Sequence, residues 1–315
     1  MGAASRPCVE HHYQSALMDS RRWESFKPRA GDIVISTSYK AGTTWMQGIC
    51  AALVFQAPRP PASQDELSPW LDALFAPLDA VLATLEGLTS RRYIKTHLPL
   101  DALPFHDKVK YIFVGRDGRD VFMSLWNHWN NLQPAFIDQL NDAPGTNGPR
   151  LHHPPVDLRA AFDEWLSKGS FEWEEDGYPF WSHLHHARTW WEHRALDNVC
   201  HVHYADLNAD LDGEMRRISA YLGIPVNEAI WPDLVRGTTF AEMKANATKL
   251  VPGATQGLWK DTANFFHRGT NRRWVGRLTQ EQSDRYERLA ARRLAPALNR
   301  WLDGGRRVAG DPKQI

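Results

Sequence analysis

Four short apolar runs stand out against a chain whose other apolar residues recur at helical spacing. "GDIVISTSY", "RRYIKTHLPL", "KVKYIFVGRD" and "NVCHVHYADL" read as strands, three of them ending at turn or proline residues. Between them lie segments with a 3.6-residue apolar period: "TTWMQGICAALVFQ", "FAPLDAVLATLEGL", "RDVFMSLWNHWNNL", "LRAAFDEWLS" and "FWSHLHHARTWWEHR". After the last strand come "DGEMRRISAYLG", ended by Gly223, then "TTFAEMKANA", and finally "TQEQSDRYERLAARRLAPALNRWL", with a kink expected at Pro296. Residues 141–155 read as a mobile Gly/Pro loop and 251–271 as a polar, glycine-punctuated one. Alternation of strand and helix predicts one α/β domain over residues 31–303, with a mostly parallel central sheet and helices on both faces. Residues 1–30 are expected to pack on it as an extension, and residues 304–315 to fray.

Composition narrows the function. The 315 residues carry 37 basic and 37 acidic side chains, so no basic excess marks a nucleic-acid partner. No apolar run approaches the length of a membrane span. Three scattered cysteines without a C-x-x-C, and an N-terminus without an apolar leader, fit a cytoplasmic protein. Any anion site must therefore be local.

In such sheets, ligands bind beyond the carboxyl ends of the strands. The first strand runs into Lys40-Ala41-Gly42-Thr43-Thr44-Trp45. That layout suits a phosphate held by amides at a helix start, and equally an ordinary strand–turn–helix. It is not a Walker loop. If Gly42 is the second Walker glycine, Thr37 stands at the first and Thr43 at the lysine's place, while Lys40 comes early. The second strand brings Lys95 and His97 to one face; such a histidine is either a general base or bonded to a loop carbonyl. The third ends at Arg116, with Asp117 as helix cap, Asp120 to orient Arg116, and Ser124 on the following helix. Tyr204 closes the fourth. Near the end, His267, Arg268, Arg272 and Arg273 crowd around Gly269, as an anion loop or a solvated basic one.

Together these segments resemble the cytosolic sulfotransferases. "TSYKAGTTW", "KTHLPL" and "RDGRDVFMS" stand where that family has its three signatures, in the right order between Asp32 and Trp274. The resemblance implies a P-loop-like fold and transfer of a sulfuryl group from 3′-phosphoadenosine 5′-phosphosulfate to a hydroxyl or amine. It implies that Lys40, Ala41, Gly42, Thr43 and Thr44 hold the phosphosulfate and that Trp45 stacks on the adenine. Arg116 and Ser124 then take the 3′-phosphate, joined by the loop of His267, Arg268 and Gly269, in which any of His267, Arg268, Arg272 and Arg273 can be the side chain that meets it, while Thr238, Tyr204 and Phe240 contact the base. Catalysis falls to His97, Lys40 and Lys95, with no metal. Two departures are visible. His267 and Arg268 replace the family's Arg-Lys pair, and Tyr39 replaces a proline, leaving that turn less rigid. The family's dimer motif is not recognisable around Val275–Asp284, so no oligomer is inferred. The acceptor is expected to be a small apolar or aromatic alcohol, walled by residues drawn from Trp70, Phe75, Phe105, Trp129, Phe136, Phe171, Trp173, Tyr178, Phe180 and Trp181. The rivals are a P-loop kinase, a non-catalytic nucleotide-binding module, and a metal site built on "HLHH" at His183–His186.

Overall fold

All four strands form in a computed structural model of the chain, which describes residues 6–143, 148–254 and 257–315. They are β1 Ile33–Thr37, β2 Tyr93–Thr96, β3 Lys110–Gly115 and β4 Val199–His203. Their order is β2-β1-β3-β4, and every pair is parallel. Strand alternation builds a core on each face. Val34, Ile94, Tyr111 and Phe113 join one apolar cluster. Ile33, Ile35, Ile112, Val114 and Val202 join the other. Helices cover both faces. The connection from β1 leads to one side of the sheet and that from β3 to the other, so a crevice opens between their carboxyl ends.

Most helices fall where the apolar period predicted them: Thr43–Phe55 after β1, Gly118–Asn131 after β3, His183–Glu192 before β4, and Leu211–Leu222 ended by left-handed Gly223. Three expectations need correction. Pro296 does not kink one helix; Leu294 leaves the helical conformation and Pro296 starts a second helix, Pro296–Gly304. The segment after Gly304 does not fray. Arg306–Ala309 is helical, and the Asp206 carboxylate accepts the amides of Arg306 and Arg307 at 2.7 and 3.1 Å. The loop from 141 is shorter than expected, because Pro134–Asp142 is a helix and Asn141 clasps the buried Leu151 backbone through two hydrogen bonds. The remaining core of that loop, residues 144–147, lies outside the described residues. No helix among the described residues is long and apolar enough to cross a membrane.

Candidate active site

The parallel register brings the ends of β1, β2, β3 and β4 level, so the residues that follow them meet at one edge. A cleft of about 390 Å³ opens there. Lys40, Gly42, Thr43, Thr44, Trp45, Lys95, His97, Arg116, Ser124, Tyr204, Phe240, His267, Arg268 and Gly269 all line it. Arg273 also reaches the cleft, whereas Arg272 is exposed outside it.

The turn after β1 is held from below. Ser38 Oγ meets His183 Nδ1 at 2.7 Å, and Ser36 Oγ meets His186 Nε2 at 3.0 Å. His185 instead pairs with Asp101 at 2.7 Å, so the three histidines of "HLHH" serve three separate partners. Lys40 adopts a left-handed backbone with φ 66°, a conformation that a non-glycine residue keeps only where its surroundings enforce it. Gly42, with φ 124°, is the N-cap of the Thr43–Phe55 helix, and no side chain caps that end. A Cβ at Gly42 would press on the Tyr204 ring at 3.1 Å. The first amides of this helix are therefore left for an anion, at the positive end of a 13-residue dipole. Thr43 turns its hydroxyl to Thr37 Oγ1 at 2.5 Å.

Three cations converge here, and none of them forms an ion pair among the described residues. Arg116 is buried, donates to the carbonyls of Lys40 and Thr270 at 3.2 Å each, and lies 3.9 Å from the Tyr204 ring. Its Nε has no partner among the described residues. Asp120, expected to orient Arg116, instead accepts the amides of Arg272 and Arg273 at 2.7 and 2.8 Å and so fixes the basic loop. Burial pulls the Lys40 ammonium down to about 7, and the charges of Arg116, Lys95 and Arg273 push the same way. Burial likewise lowers Lys95 to about 8, although Asp65 and Asp72 act against it. Neither lysine forms an ion pair among the described residues.

His97 makes the loop-carbonyl bond expected of a strand-end histidine and keeps its other ring nitrogen open. Its Nδ1 donates to the Thr37 carbonyl at 2.9 Å, which fixes the proton there and leaves the Nε2 lone pair without a partner among the described residues. Burial, then Lys95, then Lys40 drive its pKa down to about 3, so the ring is a neutral base at any working pH. Tyr39 does not loosen the turn. Its ring stacks on His97 at 4.4 Å and on Phe180 at 4.3 Å, wedging the turn between these two rings.

Two expected ligands sit behind the wall. Ala41 is fully buried, and Thr238 donates its hydroxyl to the Val235 carbonyl while its own carbonyl accepts from Trp45 Nε1 at 2.9 Å. Trp45 meets the Tyr204 ring edge-on at 5.1 Å, and Gly269 lets the chain pass under Phe240, whose ring a Cβ would overlap at 2.4 Å. Of the expected acceptor wall, Trp70, Phe75, Phe136 and Phe180 line the cleft. Phe105 stacks on Tyr111 in the core, Trp129 is core, and Trp181 supports from behind by donating to the His97 carbonyl at 2.6 Å. Phe171, Trp173 and Tyr178 are not in the cleft.

One cleft residue was not read from the sequence. His128, on the helix Gly118–Asn131, faces Lys40 with Nδ1 at 3.1 Å from Nζ. The available signal was its spacing, one helical turn beyond Ser124 on the same face.

An uncapped helix start, unpaired cations and a neutral imidazole at the switch point of a parallel sheet define a P-loop-like group-transfer site. The chain belongs to the sulfotransferase family and is a sulfotransferase: the sulfotransferase domain model matches residues 30–297. A glycolipid sulfotransferase of Mycobacterium bovis is 35% identical over 94% of both chains, and rat sulfotransferase 1A1 is 28% identical over 84% of both. The fold matches mouse sulfotransferase SULT7A1 complexed with PAP, with TM-score 0.66, 23% identity, and coverage of 89% of this chain and 90% of that one. It also matches retinol dehydratase in complex with androsterone and PAP, with TM-score 0.67, 20% identity, and coverage of 88% and 84%.

Proposed function

We propose that the protein moves a sulfuryl group from 3′-phosphoadenosine 5′-phosphosulfate to a hydroxyl of a small apolar acceptor, with His97 as general base. The observation that carries this reading is the meeting, in one cleft, of cations that form no ion pair among the described residues with an imidazole lone pair that has no partner among them. The residues present fit the donor: amides at Gly42–Thr44 and the charges of Lys40, Arg116 and Arg273 suit its anionic groups, while Trp45 and Phe240 offer faces for its base. His97 Nε2 takes the acceptor proton as the acceptor oxygen bonds to sulfur. The bond from sulfur to the bridging oxygen breaks, and its electron pair goes to the phosphate, leaving adenosine 3′,5′-bisphosphate. Lys40, aided by Lys95, neutralises charge that grows only in the transition state.

The acceptor side supports an apolar body. Trp70, Phe75, Val81, Phe136, Phe180 and Leu258 wall that part of the cleft. The relatives named glycolipid sulfotransferases support an acceptor that joins such a body to a hydroxylated head. The test is a thermal-shift titration followed by an acceptor panel. Adenosine 3′,5′-bisphosphate at a hundredfold excess over its Kd should stabilise the protein by about 2.7 kcal/mol, and ATP with Mg²⁺ should not. Sulfated product should form from an apolar alcohol or glycolipid. Magnesium-dependent ATP turnover, or no shift with the bisphosphate, would reject the reading in favour of a kinase or an unrelated site.

A further inference from the structure

Ser124, His128 and Leu132 lie four residues apart, on one face of the Gly118–Asn131 helix and its cap, and all three line the cleft. His128 alone of the three reaches across to the turn after β1, through its 3.1 Å contact with Lys40 Nζ. We infer that His128 is a positioning residue for the transfer reaction, holding the Lys40 ammonium where the bridging oxygen of the donor will arrive. The inference rests on the sulfuryl-transfer reading above.

Lys40 needs such a holder. Its side chain is long and flexible, and the nearest charges, Arg116, Lys95 and Arg273, all repel it. The Phe265 ring lies under Nζ at 4.1 Å and offers only its π face. Left to these neighbours, the ammonium would swing toward solvent. His128 is the one hydrogen-bond acceptor for Nζ among the described residues.

The chemistry of this acceptor suits a temporary hold. A lysine ammonium only donates, so Nδ1 accepts and Nε2 carries the ring proton. Burial holds His128 neutral, and Lys40, His97 and Lys95, which face it from the other elements, act in the same direction. The ring is fixed by Trp259 at 4.9 Å and Phe265 at 5.5 Å. A carboxylate here would form a buried ion pair and compete with the donor's phosphate. A neutral imidazole gives Lys40 a direction and releases it readily to a stronger anion.

The experiment compares wild type with His128→Leu, His128→Asn and Lys40→Ala. It measures kcat and donor KM from pH 6 to 9, and the calorimetric Kd for adenosine 3′,5′-bisphosphate. Losing a hydrogen bond to a charged group should cost His128→Leu about 10- to 100-fold in kcat. Its bisphosphate Kd should stay within about threefold, because amides and arginines carry that binding. The alkaline limb of kcat/KM should move to lower pH, since Lys40 loses the partner that favours its protonated form. In His128→Asn, an amide oxygen stands near the place of Nδ1, and most of the loss and the limb should be recovered. The proposal is overturned if His128→Leu keeps kcat within about twofold with an unmoved limb, or if His128→Asn is as impaired as His128→Leu. If Lys40→Ala turns over like wild type, the transfer role of Lys40 falls, and the proposal falls with it.

Discussion

At the scale of single residues, two groups with displaced protonation carry the proposed transfer. His97 has a pKa near 3, so it stays unprotonated down to strongly acid pH and sets no acid limb in the working range. Lys40, lowered to about 7 in the donor-free protein, must on the proposed mechanism be charged to help the leaving oxygen. The sign follows directly. A lysine lowered from its ordinary value loses its proton as pH rises through about 7, so kcat/KM for the donor, which reports the free enzyme, should fall above that pH. The donor's negative charge favours the ammonium, so the limb in kcat should lie higher. A pH series of both parameters checks this; coincident limbs would contradict it. His97→Ala should lose about 10²–10⁴-fold in kcat with bisphosphate affinity intact, and a variant within a few-fold of wild type would remove His97 as base. The sequence made Lys40, His97 and Arg116 legible because signature spacing and strand ends coincide. It left His128 unread and gave Tyr39 a loosening role that the structure does not bear out, because their roles depend on side chains from distant segments: Lys40 for His128, Phe180 for Tyr39. Asp120 was misread for the same reason, since its partners lie about 150 residues further along the chain.

At the scale of elements, the apolar period located every strand and most helices, since burial on both sheet faces imposes a pattern that sequence carries openly. The helix Pro134–Asp142 escaped notice beside a Gly/Pro-rich stretch, although Pro134 at its first turn and Ile137 and Leu140 on its buried side mark it. The basic loop shows what periodicity cannot carry, a backbone shaped for close approach. Gly269 has φ 68° and sits against Phe240, whereas Gly276 has φ 75° and open space around it. Both would bear about 1–2 kcal/mol of left-handed strain as alanine. Only Gly269→Ala would also displace the Phe240 ring. Gly269→Ala should therefore weaken adenosine 3′,5′-bisphosphate binding by about tenfold, near 1.4 kcal/mol, while Gly276→Ala leaves Kd unchanged. Calorimetric titration of the pair decides it: equal affinities would mean that Phe240 plays no part in holding the nucleotide.

At the scale of the whole molecule, the C-terminal helices Pro296–Gly304 and Arg306–Ala309 close the edge of the sheet that carries the site. Trp301 packs where Gly115 has no side chain, a Cβ there meeting the indole at 2.3 Å, so the residue just before Arg116 is covered by the C-terminal helices. His203 at the end of β4 donates through Nε2 to the Leu302 carbonyl at 3.0 Å. The buried Glu214 then binds Arg306 at 2.8 Å and Arg217 at 2.6 Å, tying the terminal segment to the Leu211–Leu222 helix. Burial alone would raise the Glu214 pKa, but its two arginine partners outweigh burial and hold it below the ordinary value. For a carboxylate lowered in this way, the stabilisation is fully present above the ordinary glutamate range and is lost as pH falls through the lowered value. Glu214→Gln keeps the shape and removes the charge. It should cost about 2 kcal/mol, the scale of a charge-assisted hydrogen bond, and lower Tm by about 2–5 °C at neutral pH. Because wild type itself loses this charge in acid, the Tm difference should be steady between about pH 6 and 8 and shrink below the ordinary carboxylate range. Calorimetric melts of both proteins across pH measure it. A difference that persists undiminished in acid would mean that the clasp works through shape and packing, with charge contributing nothing to how the C-terminal segment holds the sheet edge under Arg116.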